Sequence, residues 1–233
     1  MSRDIIGLIL SFAFVFLMIF LATLIQKLFE LSNEFSRKII HITVGNWIFI
    51  ALYYFEDWYI AIIGPIAFIL INFLSYKFTI FKAMELQEKN PGTIYYPISL
   101  AICTLLTYSQ KPLLLLPYLG IMAMTWGDGF AAVIGKKFPI KQIRPRKSIG
   151  GSASFFIFTL VASIIYLLIE PTNLSTGTII LYALATAFIG VLIELYSPKN
   201  LDNLTVPIML GLIGFFYWDL IVLKPTEPNL VSG

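Results

Sequence analysis

Residues Ile5–Ile25 read IIGLILSFAFVFLMIFLATLI and carry no charged side chain. A helix needs roughly 20 apolar residues to cross the hydrocarbon core of a bilayer, so this run is long enough to span a membrane. It lacks the small-residue cleavage site of a signal peptide, which favours a retained helix. The chain of 233 residues is 58% hydrophobic and only 12% charged, against about 25% charged in soluble domains. We therefore predict one integral-membrane domain over residues 1–233, an all-α polytopic transmembrane helical bundle.

About eight apolar segments divide the chain. The fourth and fifth are shorter than the usual lower limit of ~17 residues, so they either extend into their polar flanks or are broken or re-entrant helices. The predicted segments are Ile5–Ile25, Ile39–Phe55, Trp58–Ser75, Tyr95–Tyr108, Pro112–Trp126, Ser154–Ile169, Gly177–Leu195 and Thr205–Leu223.

The basic residues predict the orientation of these segments. Of the 16 Lys and Arg residues, 13 lie in alternate connections between the segments. These connections are Lys27–Lys38, Lys77–Lys89, Lys136–Lys147 and the one that contains Lys199. Basic connections face the cytoplasm, so a multi-pass protein of the cell (inner) membrane with both termini outside is predicted. The amphipathic segment Lys77–Lys89 is expected to lie on the inner surface as an interfacial anchor.

Several functional classes are excluded by composition. One cysteine, Cys103, and one histidine leave no intrachain disulfide and no Cys/His zinc site. The net charge of +3 follows membrane topology and does not indicate nucleic-acid binding. The sequence is compatible with a monomer or a homo-oligomer.

The uncommon polar residues gather at the predicted cytoplasmic ends of the segments. Such a one-sided distribution favours an enzyme that joins a water-soluble reagent to a lipid, with its active site at the cytoplasmic face. A transporter or channel, the non-enzymatic alternative, places its polar groups more often near the midplane or along a pore.

The stretch Gly127–Ser152 reads GDGFAAVIGKKFPIKQIRPRKSIGGS. Asp128, between Gly127 and Gly129, is a functional candidate because acids at membrane depth are costly. The alternative is close helix packing along the small residues, with Asp128 as a cap.

Further along this stretch, most of the basic residues are expected to anchor the loop to the membrane surface. Lys147 differs because it leads into a glycine-containing turn, and glycine amides before a helix N-terminus suit phosphate oxygens. The residues predicted to hold an anion there are Lys147, Ser148, Gly150, Gly151 and Ser152.

Two further polar groups complete the predicted site. Arg37 and His41 are four residues apart and share a helical face, from which they can hold a phosphate or a substrate hydroxyl or serve only as structural hydrogen bonders. Glu194, Asp202 and Asn203 form a second acidic group. Carboxylates beside a phosphate site suggest Mg²⁺, with Asp128 and Asp202 as ligands, whereas the structural alternative is a helix cap.

Taken together, these motifs resemble the polyprenol/phytol/dolichol kinase family, which includes CTP-dependent diacylglycerol kinases and is distantly similar to phosphatidate cytidylyltransferases. The resemblance covers about Arg37 to Pro207. The motifs that carry it are Arg37-Lys38-x-x-His41, Gly92-Thr93-x-x-Tyr96-Pro97, Gly127-Asp128-Gly129-x-Ala131, Lys147-Ser148-x-Gly150-Gly151-Ser152 and Asp202-Asn203-Leu204-Thr205-Val206-Pro207.

The resemblance implies a membrane kinase that moves the γ-phosphate of CTP, or of another nucleoside triphosphate, onto the hydroxyl of a lipid alcohol with Mg²⁺. The DNLTVP run points towards phytol and other short-chain isoprenols, while polyprenols and diacylglycerol remain alternatives. In this interpretation Asp128 is a base or a metal ligand, and Arg37 and His41 contact a phosphate or the acceptor. Gly127 and Gly129 join the nucleotide-binding residues. Synthesis of a CDP-lipid is the alternative reaction.

Overall fold

A computed structural model describes residues 2–78, 92–109, 116–169, 174–198 and 201–222. These residues are helical apart from one short β-hairpin and the connections, so the predicted all-α class is confirmed. The elements in chain order are α1 (Arg3–Leu28), α2 (Asn33–Val44), α3 (Trp47–Tyr54), α4 (Trp58–Ala61), α5 (Ile63–Phe78), α6 (Gly92–Ser109), α7 (Leu116–Met122), a π-helical segment (Ala123–Asp128), α8 (Gly129–Lys137), β1 (Gln142–Arg144), β2 (Lys147–Ser148), α9 (Ile149–Ile169), α10 (Thr176–Tyr196) and α11 (Asp202–Val222).

Among the described residues, four helices are long and apolar enough to cross a membrane: Arg3–Leu28, Trp58–Phe78, Ile149–Ile169 and Thr176–Tyr196. They carry large exposed apolar side chains, such as Phe20 at 62% and Leu181 at 66%. Exposed apolar surface of this extent suits contact with lipid. The apolar parts of α6 and α11 are shorter, Gly92–Tyr108 and Asp202–Gly214, so the predicted count of eight segments stays a prediction. Most of the predicted surface segment Lys77–Lys89 lies outside the described residues, as does the beginning of Pro112–Trp126.

The predicted segment Ile39–Phe55 is not one continuous helix, because α2 ends at Val44 and α3 begins at Trp47. A methyl group on Gly45 would lie 2.0 Å from Thr125 Oγ1, so the backbone passes too close to the π-helical segment for a larger residue. The Asn46 side chain donates to the Ile42 carbonyl at 2.7 Å, a local bond that competes with regular helix.

Several helices begin earlier than the predicted segments, α9 and α11 among them. α9 starts at Ile149, five residues before the predicted Ser154, and α11 starts at Asp202 instead of Thr205. The glycines after Lys147 therefore belong to the first turn of α9, which corrects the prediction of a turn before the helix. Ser148 Oγ accepts the amide hydrogen of Gly151 at 3.1 Å, as an N-cap does, and this bond accounts for the early start.

The hairpin of β1 and β2 was predicted only as a loop. The strands pair antiparallel, with Gln142 opposite Ser148 and Arg144 opposite Lys147. Pro145 and Arg146 occupy the two central positions of the turn between the strands. Proline at the first position and the φ of 68° of Arg146 at the second match a type II turn. Such a turn normally carries glycine or asparagine at its second central position, so an arginine there gave no sequence signal for the turn. The hairpin places Lys147 at the start of α9.

The packing of the helices decides what meets at one end of the bundle. α9 packs on α8 and on α10, α11 packs on α6 and α7, and α2 contacts α8. The start of α2, the junction of the π-helical segment with α8, the start of α9, the end of α10 and the start of α11 consequently surround a common space.

Candidate active site

A polar cleft of about 980 Å³ opens at this end of the bundle. Seven of the predicted site residues line it: Arg37, Asp128, Lys147, Ser148, Gly151, Ser152 and Asp202. These residues come from α2, the π-helical segment, β2, α9 and α11, so the fold brings together groups that are far apart in the chain. The cleft is also lined by Glu194, which the sequence placed in the second acidic group, and by Lys38, to which the sequence gave no role.

Asp128 is paired with Lys38. The Lys38 ammonium donates to Asp128 Oδ2 at 2.5 Å, and the two side chains are only 13% and 10% exposed. Burial would raise the pKa of Asp128, but the positive charges around it, Lys38 foremost, outweigh burial and lower that pKa to about 2. Asp128 is therefore ionised throughout the physiological pH range. In the sequence, the motif Arg37-Lys38 offers two basic residues as partners of Asp128. The motif alone does not show that Lys38, and not Arg37, forms the ion pair.

His41 lies beside this ion pair. Its Nε2 hydrogen is donated to the Met124 carbonyl at 2.9 Å, and Nε2 is 3.9 Å from Asp128 Oδ2. The carbonyl belongs to the π-helical segment, and π-helical turns occur often at functional sites. The Tyr96 ring packs on the His41 ring with 4.5 Å between centroids. His41 is thus held in place next to Asp128, on the side away from the polar cleft.

Lys147 forms the second charged group. Its ammonium donates to Glu194 Oε1 and lies 3.6 Å from Asp202 Oδ2. Burial would lower the pKa of Lys147, but the negative charges of Glu194, Asp128 and Asp202 outweigh it, so the pKa is raised. Lys147 stays protonated and provides a positive charge in the cleft. Glu194 was noted in the sequence only as one of a group of acids.

Three polar atoms in or beside the cleft are buried and lack a hydrogen-bond partner among the described residues. Two are donors, Arg37 Nε and Ser152 Oγ, and the third is the acceptor Glu194 Oε2. Buried donors and acceptors are nearly always paired in folded proteins, so unpaired ones in a cleft mark places where a ligand can bind. Arg37 Nε and Ser152 Oγ can donate to phosphate oxygens.

The predicted glycines have packing roles. A methyl group on Gly127 would lie 2.3 Å from Thr159 Oγ1, and one on Gly129 would lie 2.3 Å from Ile42 Cγ1. The Gly150 amide donates to the Pro139 carbonyl at 3.3 Å, while Gly151 donates to Ser148. Contacts between helices therefore account for these glycines, and their binding of nucleotide stays a prediction.

The carboxylates suit Mg²⁺ only in part. Asp128 and Asp202 line the same cleft, and Mg²⁺ usually takes one or two carboxylates together with substrate phosphates. Within the described part of the chain, however, no cluster of three or more His, Cys, Asp or Glu side chains could hold a metal ion. The donor set therefore fits a metal ion that arrives with a phosphate ligand.

The chain is 29% identical over 210 residues to "Phytol kinase" of Synechocystis sp. (strain ATCC 27184 / PCC 6803 / Kazusa), and the aligned region covers 84% of this chain and 86% of that protein. It is 28% identical over 149 residues to "Phytol kinase 1, chloroplastic" of Arabidopsis thaliana, covering 58% of this chain and 48% of that protein. For "Probable phytol kinase, chloroplastic" of Triticum aestivum the identity is 27% over 141 residues, 55% of this chain and 45% of that protein. No family model and no solved structure matches the chain.

Proposed function

We propose that the chain is a member of the phytol/polyprenol kinase family, whose named members are enzymes that phosphorylate a lipid alcohol, and that it phosphorylates a phytol-type isoprenol. The phosphate donor in this proposal is a nucleoside triphosphate, CTP first among the candidates. The observation that carries the proposal is the similarity to the Synechocystis phytol kinase over 84% of the chain. The cleft of paired acidic and basic groups supports it.

Phosphoryl transfer needs charge neutralisation and alignment more than covalent chemistry from the protein. Lys147, Ser152 and Arg37 supply donors for the triphosphate. Asp128 and Asp202 would hold Mg²⁺, which neutralises charge on the phosphates when it is bound. As the triphosphate enters, its oxygens replace Glu194 as partners of Lys147.

For Asp128 the environment favours electrostatic positioning over proton abstraction. A carboxylate whose pKa is about 2 is a weak base at neutral pH, and an efficient general base has a pKa near the working pH. Lys38 is its positioning residue, because its ammonium holds the carboxylate in place. His41 Nε2 lies 3.9 Å from Asp128 Oδ2 and carries the hydrogen donated to Met124, so Nδ1 is the ring nitrogen left to accept the proton of the acceptor hydroxyl.

The bundle end that carries the cleft is proposed to face the cytoplasm, where nucleotides are present. The basic hairpin supports this orientation, since cytoplasmic connections are rich in Lys and Arg. The apolar chain of the acceptor would stay within the bilayer, so that only its hydroxyl meets the cleft.

The test is transfer of label from CTP to phytol by purified protein in detergent or liposomes. A kinase transfers label from the γ position and none from the α position, whereas CDP-lipid synthesis transfers the α label. Asp128→Asn should abolish transfer while the protein stays folded, and Glu56→Gln, an exposed acid that pairs with Arg3 at the start of α1, is the matched control. Near-normal turnover of Asp128→Asn would remove Asp128 from the mechanism. Parallel reactions with ATP, GTP and UTP identify the donor.

A further inference from the structure

A second, largely apolar groove lies directly behind the polar cleft. α1, α2, α5 and α6 line it, with Val15, Ile40, Phe68 and Leu100 among its apolar side chains. Apart from Arg37 and His41, the residues that line this groove have no role in the phosphate chemistry described above.

Arg37 connects the two spaces, because it lines both the groove and the polar cleft. The other polar lining residues of the groove lie near the same end, including Asn72, Thr93 and Asn203. Asn72 donates to the Thr93 carbonyl at 2.8 Å and Asn203 to the Gly92 carbonyl at 3.1 Å. A ligand with one polar end and an apolar body therefore has only one favourable orientation, with its polar end at Arg37 and His41.

The groove is narrow. Its volume is about 80 Å³, against about 980 Å³ for the cleft. So small a space suits a single hydrocarbon chain better than two chains side by side. The groove thus favours a single-chain alcohol over diacylglycerol.

Trp47, which is 2% exposed, and Gly64 line the far end of the groove, the end away from Arg37. Ten positions separate Arg37 on α2 from Trp47 at the start of α3, which is about 15 Å if the short connection between the two helices keeps the helical rise of 1.5 Å per residue. This is roughly half of the ~30 Å hydrocarbon core. The chain of the ligand is held over this depth, and a longer chain has to leave the groove towards lipid.

We propose that this groove is the acceptor subsite, which binds the hydrocarbon chain of a single-chain isoprenoid alcohol and presents its hydroxyl to the cleft at Arg37 and His41. The inference rests on the proposed function for the identity of the acceptor. It adds where the acceptor lies and why one chain is preferred to two.

Gly64 allows the groove to be narrowed without disturbing the backbone. A methyl group there would lie 3.7 Å from Trp47 Cζ2, an ordinary contact distance, so Gly64→Ala is accommodated and Gly64→Leu fills the far end. The expected result for Gly64→Leu is a loss of kcat/KM for phytol and geranylgeraniol of roughly tenfold or more, the scale at which a pocket resolves added methylenes. The nucleotide KM and the activity towards an alcohol of one isoprene unit should not change. Gly177→Leu, at an exposed glycine where a methyl group would lie 3.9 Å from Ser175 Oγ, is the matched control and should behave like the wild type.

A second measurement does not depend on turnover. A phytol analogue with a photoreactive group at its tail is irradiated with the protein without nucleotide, and labelled peptides are identified by mass spectrometry. Labelling is expected on α3 near Trp47 and on α5 near Gly64, to be suppressed by excess phytol and not by diacylglycerol. If Gly64→Leu fails to fold, this labelling experiment still tests whether the groove binds the hydrocarbon chain.

The outcomes separate the two proposals. Transfer to phytol that Gly64→Leu leaves intact, with label only on outward faces such as those of Leu181 and Phe188, overturns the groove while the kinase activity stands. Groove labelling without transfer to any lipid alcohol overturns the kinase activity. Displacement of the label by diacylglycerol overturns the preference for a single chain.

Discussion

Replacing Lys38 with methionine removes the charge that faces Asp128 and keeps a long apolar stem. The Lys38 and Asp128 side chains are 13% and 10% exposed and their charged atoms are 2.5 Å apart. Breaking a buried ion pair by removing one partner costs roughly 3–5 kcal/mol, because the other charge stays buried. Since Asp128 also borders the cleft and His41, we expect the lower end, about 3 kcal/mol. At about 2–4 °C per kcal/mol for a chain of this size, the melting temperature should fall by about 6–12 °C.

Thermal unfolding in detergent, followed by tryptophan fluorescence, measures this loss. Asp128→Asn in the Lys38→Met background removes the unpaired charge and should recover most of the lost stability. The coupling energy in the double-mutant cycle should be about 1–3 kcal/mol. The control pair is Lys136 and Glu34, 2.8 Å apart but 72% and 52% exposed. Lys136→Met should cost less than about 1 kcal/mol. Additive effects at Lys38 and Asp128, or equal losses at both pairs, would refute the assignment of a stabilising buried pair.

The same variant has a pH signature. The folded-state pKa of Asp128, about 2, lies below the unfolded value of about 3.9. The pair therefore stabilises the protein above pH ~4, and this contribution is lost as the pH falls through the folded pKa. Without Lys38, burial dominates and the pKa of Asp128 rises, so the acid loss of stability and of activity should begin at a higher pH. Identical acid limbs for wild type and Lys38→Met would contradict this account.

Two further predictions concern the cleft and the packing around it. Lys147→Ala, made in a Glu194→Gln background so that Glu194 is not left as a buried charge without its partner, should raise the nucleotide KM by roughly tenfold or more, the range of a charge-assisted contact of about 1.5–3 kcal/mol. An unchanged KM and kcat relative to Glu194→Gln alone would reject a role for Lys147 in nucleotide binding. Gly127→Ala should cost about 1–3 kcal/mol, because its methyl group would lie 2.3 Å from Thr159 Oγ1. Thr159→Ala should recover part of that loss, since this hydroxyl is buried without a partner among the described residues while the Phe155 ring, 3.2 Å from the added methyl group, remains; melting temperatures that show no recovery would place the strain elsewhere.

The sequence predicted the membrane class and most helices because both depend on local hydropathy. The apolar parts of α1, α9 and α10 agree with the predicted segments to within a few residues, apart from the early start of α9. The motif residues were also predictable, and Arg37, Asp128, Lys147 and Asp202 do line one cleft. The prediction of one continuous helix over the second segment was wrong. Packing brings Gly45 against Thr125, and no local sequence pattern encodes that packing.

By itself, then, the sequence determined that this is a helical membrane protein whose unusual polar residues share one end of the bundle, since burial in lipid demands long apolar runs and makes each exception costly. The tertiary structure alone decided which charges neutralise one another. Lys38 and Asp128 are 90 residues apart, and Lys147 and Glu194 are 47 apart. The physical reason is that an ion pair depends on distances of a few ångströms between side chains. The packing of α2 against α8, and of α9 against β2 and α10, sets those distances.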